Sequence, residues 1–377
     1  MSAAIRASGH LVIGGGLAGS MAAMRLAAAG REVTLLEKEL SAHHKVCGEF
    51  LSREAVMYLR SAGVEPLDLG AAAIRVVRLS SKRALVEAAL PFTALSLSRR
   101  VLDEAMLARA ERTGCRVERG AFVEGISREG SLWCAKLRSG QSWHAENIFL
   151  ASGKHDLGGW EREGGAQGDL VGFKLHWRLA PAQTSALRGA MELFLFTGGY
   201  GGVSLVEDDV ATLCLVVRRA ELRKLGGWSG LFANLMHENR HVSLRLQGAT
   251  ALWERPLAIF PIPYGYVARR GNNLWRVGDQ AAVIPSFTGD GMSIALHSGA
   301  LAAEMYLAGK CADEYQHELS AHLWRSMALS TRLSQVMVSR IGRTVAPFAL
   351  AAIPNAMGWI ANFTRIPQNA LAARQAN

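Results

Sequence analysis

Leu11-Val-Ile-Gly14-Gly-Gly16-Leu-Ala-Gly19, with Glu37 beyond it, is the stretch whose reading decides the fold. His10 to Ile13 is a short apolar strand, Ser20 to Ala29 an alanine-rich helix ended by Gly30, and Glu32 to Leu36 a second strand rich in Val, Thr and Leu. In this βαβ context each glycine has a physical duty. Gly14 permits the tight turn, Gly16 lets backbone approach a pyrophosphate, and Gly19 lets helix and strand pack closely. The helix start offers unpaired N–H groups to the phosphates. Glu37 lies 18 residues after Gly19, where a carboxylate can accept from ribose hydroxyls. The pattern reads as dinucleotide-binding; the plainer alternative is a glycine-rich packing turn. It does not choose between FAD and NAD(P).

Around this unit lies an ordinary globular composition. Of 377 residues, half are apolar and a fifth charged, enough for a large core and two lobes. Cys47, Cys115, Cys134, Cys214 and Cys311 form no C-x-x-C pair, so neither a zinc site nor a disulfide framework is suggested, and free thiols suit a reducing cytoplasm. The first apolar stretch is broken by glycines and does not read as a signal peptide. Of the net charge of +10, six come from arginines between Leu319 and Asn377, a tail without Asp or Glu. They are spread among apolar residues and make no dense patch for nucleic acid.

Ser52 to Ala62 reads as a helix capped by Ser52 and stopped by Gly63; Ile74 to Leu97 as short strands; Arg100 to Thr113 as an amphipathic helix. Strands follow at 117–126, 132–137 and 147–151. Between about 168 and 265 the alternating runs at 172–179, 191–196, 203–206 and 211–217 predict an antiparallel sheet. Gly198-Gly-Tyr200-Gly-Gly202 reads as turns on that sheet, with Tyr200 toward a ligand. A buried strand at 273–277 precedes a long helix from about Gly291 to Leu307, and most of the remainder is helical.

Three further segments carry chemistry. Gly278-Asp279 follows the strand ending at Val277, and Pro285 and Gly289-Asp290-Gly291 lead into the long helix. Ser98-Arg99-Arg100-Val-Leu102-Asp103 opens a helix. Lys45-Val46-Cys47-Gly48-Glu49-Phe50-Leu51-Ser52 precedes another. In these segments and the first motif, over about residues 10–155 and 270–310, the chain resembles the FAD-binding fold of para-hydroxybenzoate hydroxylase, flavin-dependent halogenases and geranylgeranyl reductases. The resemblance implies non-covalent, extended FAD. It puts Gly14, Gly16, Leu17, Ala18 and Gly19 at the pyrophosphate turn, Glu37 and Lys38 at the ribose, Arg99 near the phosphates and Asp279 on the ribityl chain. Gly289, Gly291 and Met292 form the turn aimed at the flavin, Cys47 and Gly48 pass beside the ring, and Val123 is a further cofactor contact. Cys47 is the candidate catalytic residue, as a weak proton donor or flavin-tuning thiol; the bland reading is a small buried side chain. Tyr200, Pro285 and Phe287 are candidate substrate contacts. No metal site is expected.

The chain departs from the hydroxylases at Leu150-Ala-Ser152-Gly153-Lys154-His155-Asp156, where an Asp-Gly pair used in flavin and NAD(P)H handling is absent. There is no second dinucleotide fingerprint and no W-x-W-x-I-P signature of tryptophan halogenases. Lys154 and His155 read as a surface turn, or else as contacts to an anionic group. In the tail, Val345 to Phe363 holds no charged residue over 19 positions but contains Pro347 and Pro354. It reads as a helical cover, or as a basic apolar cap touching a membrane surface, a lipid-like substrate or an acyl chain on an acidic carrier protein.

The expected fold is therefore α/β. A Rossmann-like FAD-binding lobe of the glutathione-reductase type comprises residues 1–72, 98–165 and 270–318, an antiparallel substrate lobe 73–97 and 166–269, and a helical cap 319–377. The expected protein is a cytoplasmic FAD-dependent oxidoreductase, in contact with the membrane at most peripherally, acting on an apolar or aromatic small molecule. Oxygen insertion leads: NAD(P)H reduces the flavin, O₂ gives a C4a-hydroperoxide, and the substrate is hydroxylated. The alternatives are geranylgeranyl-reductase-like reduction of C=C bonds in a prenyl or lipid substrate and a non-catalytic flavin-bound partner or carrier protein.

Overall fold

The computed structural model describes residues 5–345, 358, 363–367 and 370–371. Its first sheet grows from the βαβ unit: β1 (Ile5–Ile13), α1 (Leu17–Ala28) and β2 (Val33–Glu37). β1 starts five residues before the apolar run that announces it. Its early half pairs in parallel with Ser142–Leu150, which supplies the backbone partners that Ser8 and His10 need whatever their side chains. The strand order is Arg116–Arg119, β2, β1, Ser142–Leu150, Leu132–Leu137, Val123–Glu129, with Trp275–Arg276 parallel to Ser142–Leu150. The stretch predicted as one strand over 117–126 is two, separated at Gly120, whose φ of +69° ends the first.

Helices Arg99–Arg112 and Gly291–Leu307 pack against α1 over the parallel part of this sheet. The approach of α1 to the last helix is close: a Cβ on Gly299 would stand 2.3 Å from the carbonyl oxygen of Ala18.

The second sheet has the order Thr250–Ala251, Leu170–Arg178, Ala211–Arg218, Gly199–Leu205, Gly189–Phe196, Ala72–Ser81, Ala84–Ser96, Phe50–Leu51, with Leu257–Ile259 also on Leu170–Arg178. It is antiparallel except where Gly189–Phe196 runs parallel to Ala72–Ser81. The short strands expected over 74–97 are one long hairpin turning at Lys82 (φ +54°). On one face Phe173, Leu175 and Trp177 pack with Leu213 and Leu215 under the helices Trp228–Glu238 and Arg240–Arg245. The other face, carrying Lys174, His176, Cys214 and Tyr200, turns toward the first sheet.

The glycine run at 198–202 is corrected. Only Gly198 (φ +74°) is a turn; Gly199 to Leu205 is a central strand. Its glycines make room for rings on the neighbouring strand. A Cβ on Gly199 would lie 2.4 Å from the Phe196 ring, and one on Gly201 2.4 Å from that of Phe194.

Beyond Leu307, the 26-residue helix Ala312–Met337 packs Tyr315, Leu319 and Leu323 into the first core. Nearly all of the uncharged stretch 345–363 lies outside the described residues. Among the described residues, no helix is long and apolar enough to cross a membrane.

Candidate active site between the two sheets

A cavity of about 730 Å³ runs from the Gly14–Gly16 turn to the inner face of the second sheet. At its first end the backbone is bare by necessity. Gly14 sits at φ +109°, with a Cβ position 2.4 Å from the carbonyl oxygen of Ala151. A Cβ on Gly16 would instead point at cations, 3.5 Å from an Arg99 guanidinium nitrogen and 3.7 Å from Lys45 Nζ. Arg99, the first residue of its helix behind the Ser98 cap, is tied by Asp103 through bonds of 2.7 and 2.9 Å, and Lys45 by the same carboxylate at 2.8 Å. One buried aspartate thus holds two cations beside a helix N-terminus. Such an arrangement suits an anionic group.

Glu37 is buried at the end of β2. It accepts from the amides of Gly15 (2.8 Å) and Glu39 (2.9 Å), which fix its carboxylate at the cavity wall. Lys38 and Val123 line the same end. Gly19 does not line the cavity; its hydrogen is needed for packing, because a Cβ there would lie 2.0 Å from the carbonyl oxygen of Gly14.

Midway along stand Asp279, Cys47, Gly48, Gly289, Gly291 and Met292. Gly48 and Gly291 have nothing within 4 Å of their Cβ positions, so the backbone opens directly onto the cavity. Cys47 Sγ accepts from the Glu49 amide at 3.4 Å, and its thiol also meets the Arg99 guanidinium. Lys154 sits in a turn, half-buried rather than at the surface. It lines the cavity with Nζ 3.3 Å from the Asp279 carboxylate. Burial opposes its charge, but Asp279 and Cys47 outweigh burial and hold the ammonium above its ordinary pKa.

The far end is apolar: Val77, Leu79, Leu90, Met191, Leu193 and Phe287. Tyr200 faces it, its ring edge-on to Phe287 at 5.3 Å and its hydroxyl 3.2 Å from Ser334 Oγ. Burial pushes the Tyr200 phenol up, so it keeps its proton. Pro285 does not line the cavity. It precedes the short 3₁₀ turn Ser286–Thr288 and orients the neighbours that do.

Sequence reasoning missed a buried polar cluster at the cavity's edge. Glu49 receives the Arg99 amide (2.7 Å), His176 Nε2 (3.0 Å) and the Lys174 ammonium; His44 meets His176 edge-on at 4.7 Å. The available signal was Lys174 and His176 alternating with Phe173, Leu175 and Trp177 in one strand, which marks a polar inner face. His44, Glu49 and His176 have the spacing of metal ligands. The Lys174 ammonium on the same carboxylate takes the place of a dication there.

Comparison with known proteins agrees with this geometry. A family model described as an FAD binding domain matches residues 9–148. The menaquinone reductase of Mycolicibacterium smegmatis is 25% identical over 370 residues, 90% of this chain and 87% of that protein. The digeranylgeranylglycerophospholipid reductase 2 of Methanopyrus kandleri is 26% identical over 317 residues, 78% and 76% of the two. Among solved structures, the myxobacterial chondrochloren halogenase CndH superposes with a TM-score of 0.75 at 19% identity, over 98% of this chain and 95% of that one, a likeness of fold. The bare cradle at Gly16, the paired cations and the open backbone at Gly48 and Gly291 fit FAD along the cavity's length.

Proposed function

We propose that this chain is an FAD-dependent oxidoreductase that reduces a C=C bond in an amphipathic substrate with a long apolar chain. The observation that carries the reading is the change in the cavity's lining. Cofactor-binding groups occupy one end, and aliphatic and aromatic side chains of the second sheet form the other. Relatives named for acting on menaquinone and on a digeranylgeranyl lipid, matched over most of this chain, support it.

In this reading Arg99, Lys45 and the start of α1 hold the pyrophosphate, Glu37 the ribose and Asp279 the ribityl chain. The N-terminus of helix Gly291–Leu307 faces the flavin and stabilises the negative charge of its reduced form. Bound FAD supplies the hydride, and NAD(P)H serves as the source of electrons. The apolar wall excludes water and lays the chain along Leu79, Leu193 and Phe287. Cys47, in the cavity lining next to Gly48, delivers the proton that completes saturation. Trp324 and Ile341, 61% and 76% exposed, lie in the arginine-rich tail with Arg325 stacked on Trp324. They favour peripheral contact with an anionic lipid surface, from which such a substrate would enter.

The test is an anaerobic single turnover. Dithionite-reduced holoenzyme is mixed with a polyprenyl quinone in detergent, and the product is read by mass spectrometry. The expected result is a gain of two hydrogens in the chain, lost or strongly slowed in Cys47→Ala. An unsaturated chain recovered intact, with oxygenated phenolic product formed in air instead, would overturn the reading in favour of oxygen insertion.

A further inference from the structure

Asp290 stands between Gly289 and Gly291, immediately before helix Gly291–Leu307, and is 1% exposed. A carboxylate there is favourable to the helix but cancels the positive end that the helix presents to the cavity. Its own charge is opposed by burial first and by Glu54 as well, which together hold its pKa above the ordinary value despite a nearby cation and Thr288.

That cation comes from the far end of the chain. Arg365, 75 residues further on and 8% exposed, forms an ion pair with Asp290. Its guanidinium lies over the rings of Phe50 (5.8 Å) and Phe92 (5.0 Å). Arg365 and Thr364 line the same cavity as Gly289, Gly291, Met292 and Cys47. Phe50 connects the two sides: it follows the Cys47–Glu49 segment, and its ring lies 2.6 Å from where a Gly289 Cβ would stand.

We propose that Arg365 is a charge-balancing residue that neutralises Asp290 at the flavin-facing turn, so that the tail sets the flavin's reduction potential. Two-electron reduction places negative charge on the flavin ring. An unbalanced carboxylate at this turn disfavours it, and an unbalanced guanidinium favours it. The inference rests on FAD binding and not on the substrate proposed above.

The test measures the reduced-to-oxidised flavin ratio of the holoenzyme against a reference dye, in wild type, Asp290→Asn, Arg365→Met, Arg365→Lys and the double variant Asp290→Asn/Arg365→Met. Asp290→Asn removes a negative charge from the turn and raises the ratio at fixed potential about tenfold, or about 30 mV for a two-electron couple. Arg365→Met lowers it, Arg365→Lys stays close to wild type, and the double variant returns to wild type. A shift below about twofold in FAD-loaded Asp290→Asn overturns the proposal. So does a double variant that fails to cancel the single shifts, or FAD binding lost in Asp290→Asn and not regained in the double variant. A wild-type protein that takes up no FAD would instead refute the cofactor assignment.

Discussion

Glu49 adopts φ +59°, a conformation that costs a non-glycine residue, and its carboxylate is held by three donors from two other elements. Burial alone would raise its pKa; Lys174 and His176 outweigh burial and hold it at about 2. The folded value lies below the unfolded one near 4.5, so the cluster's contribution is complete above that pH and is lost as pH falls toward 2. His44 adds to this in an adjoining window. Burial, then His176 and Lys174, lower it from 6.5 to about 4, so protonation of the unfolded chain destabilises the fold as pH falls between those values. Thermal unfolding midpoints should therefore decline steadily below about pH 6.5, and His44→Gln should flatten the upper part of that decline. Glu49→Gln should cost about 3–5 kcal/mol by leaving Lys174 buried and unpaired, with much of this recovered in Glu49→Gln/Lys174→Met. Denaturant midpoints of wild type and these two variants measure it.

At the scale of elements, the βαβ unit was legible because its evidence is local. Glycine spacing, helix stop and strand composition all lie within 30 residues. The same logic failed at Gly199 and Gly201. Glycine marks turns by its own φ preference, but these two are glycine because the rings of Phe194 and Phe196 lie against them, and that neighbour is known only once strands pair. The two cases predict different outcomes. Gly14→Ala, strained at φ +109° and set against the backbone of Ala151, should lose both stability and FAD. Gly201→Ala should lose about 1–3 kcal/mol from overpacking but keep FAD. Thermal melts with retained flavin absorbance distinguish them.

Over the whole molecule, the site is assembled from residues far apart in the chain. Glu49 and Lys174 are 125 positions apart, and Lys154 and Asp279 meet beyond the ends of two neighbouring strands of the first sheet. The sequence motifs marked one end of the cavity because the residues that line it lie in short segments next to strands. The apolar end has no such motif. Val77, Met191 and Phe287 became neighbours only through the parallel junction of two hairpins and the turn before the last helix of the cofactor lobe. That is why the sequence alone does not decide between oxygen insertion and C=C reduction.

With the FAD pyrophosphate at the Gly16 turn, equilibrium titration of flavin-free protein with FAD, followed by flavin fluorescence, should saturate at one FAD per chain. Affinity should fall about a hundredfold or more in Gly16→Val, whose side chain would stand where phosphate meets Arg99 and Lys45. A wild-type protein that binds no FAD, or a folded Gly16→Val that binds it as tightly as wild type, would contradict that placement.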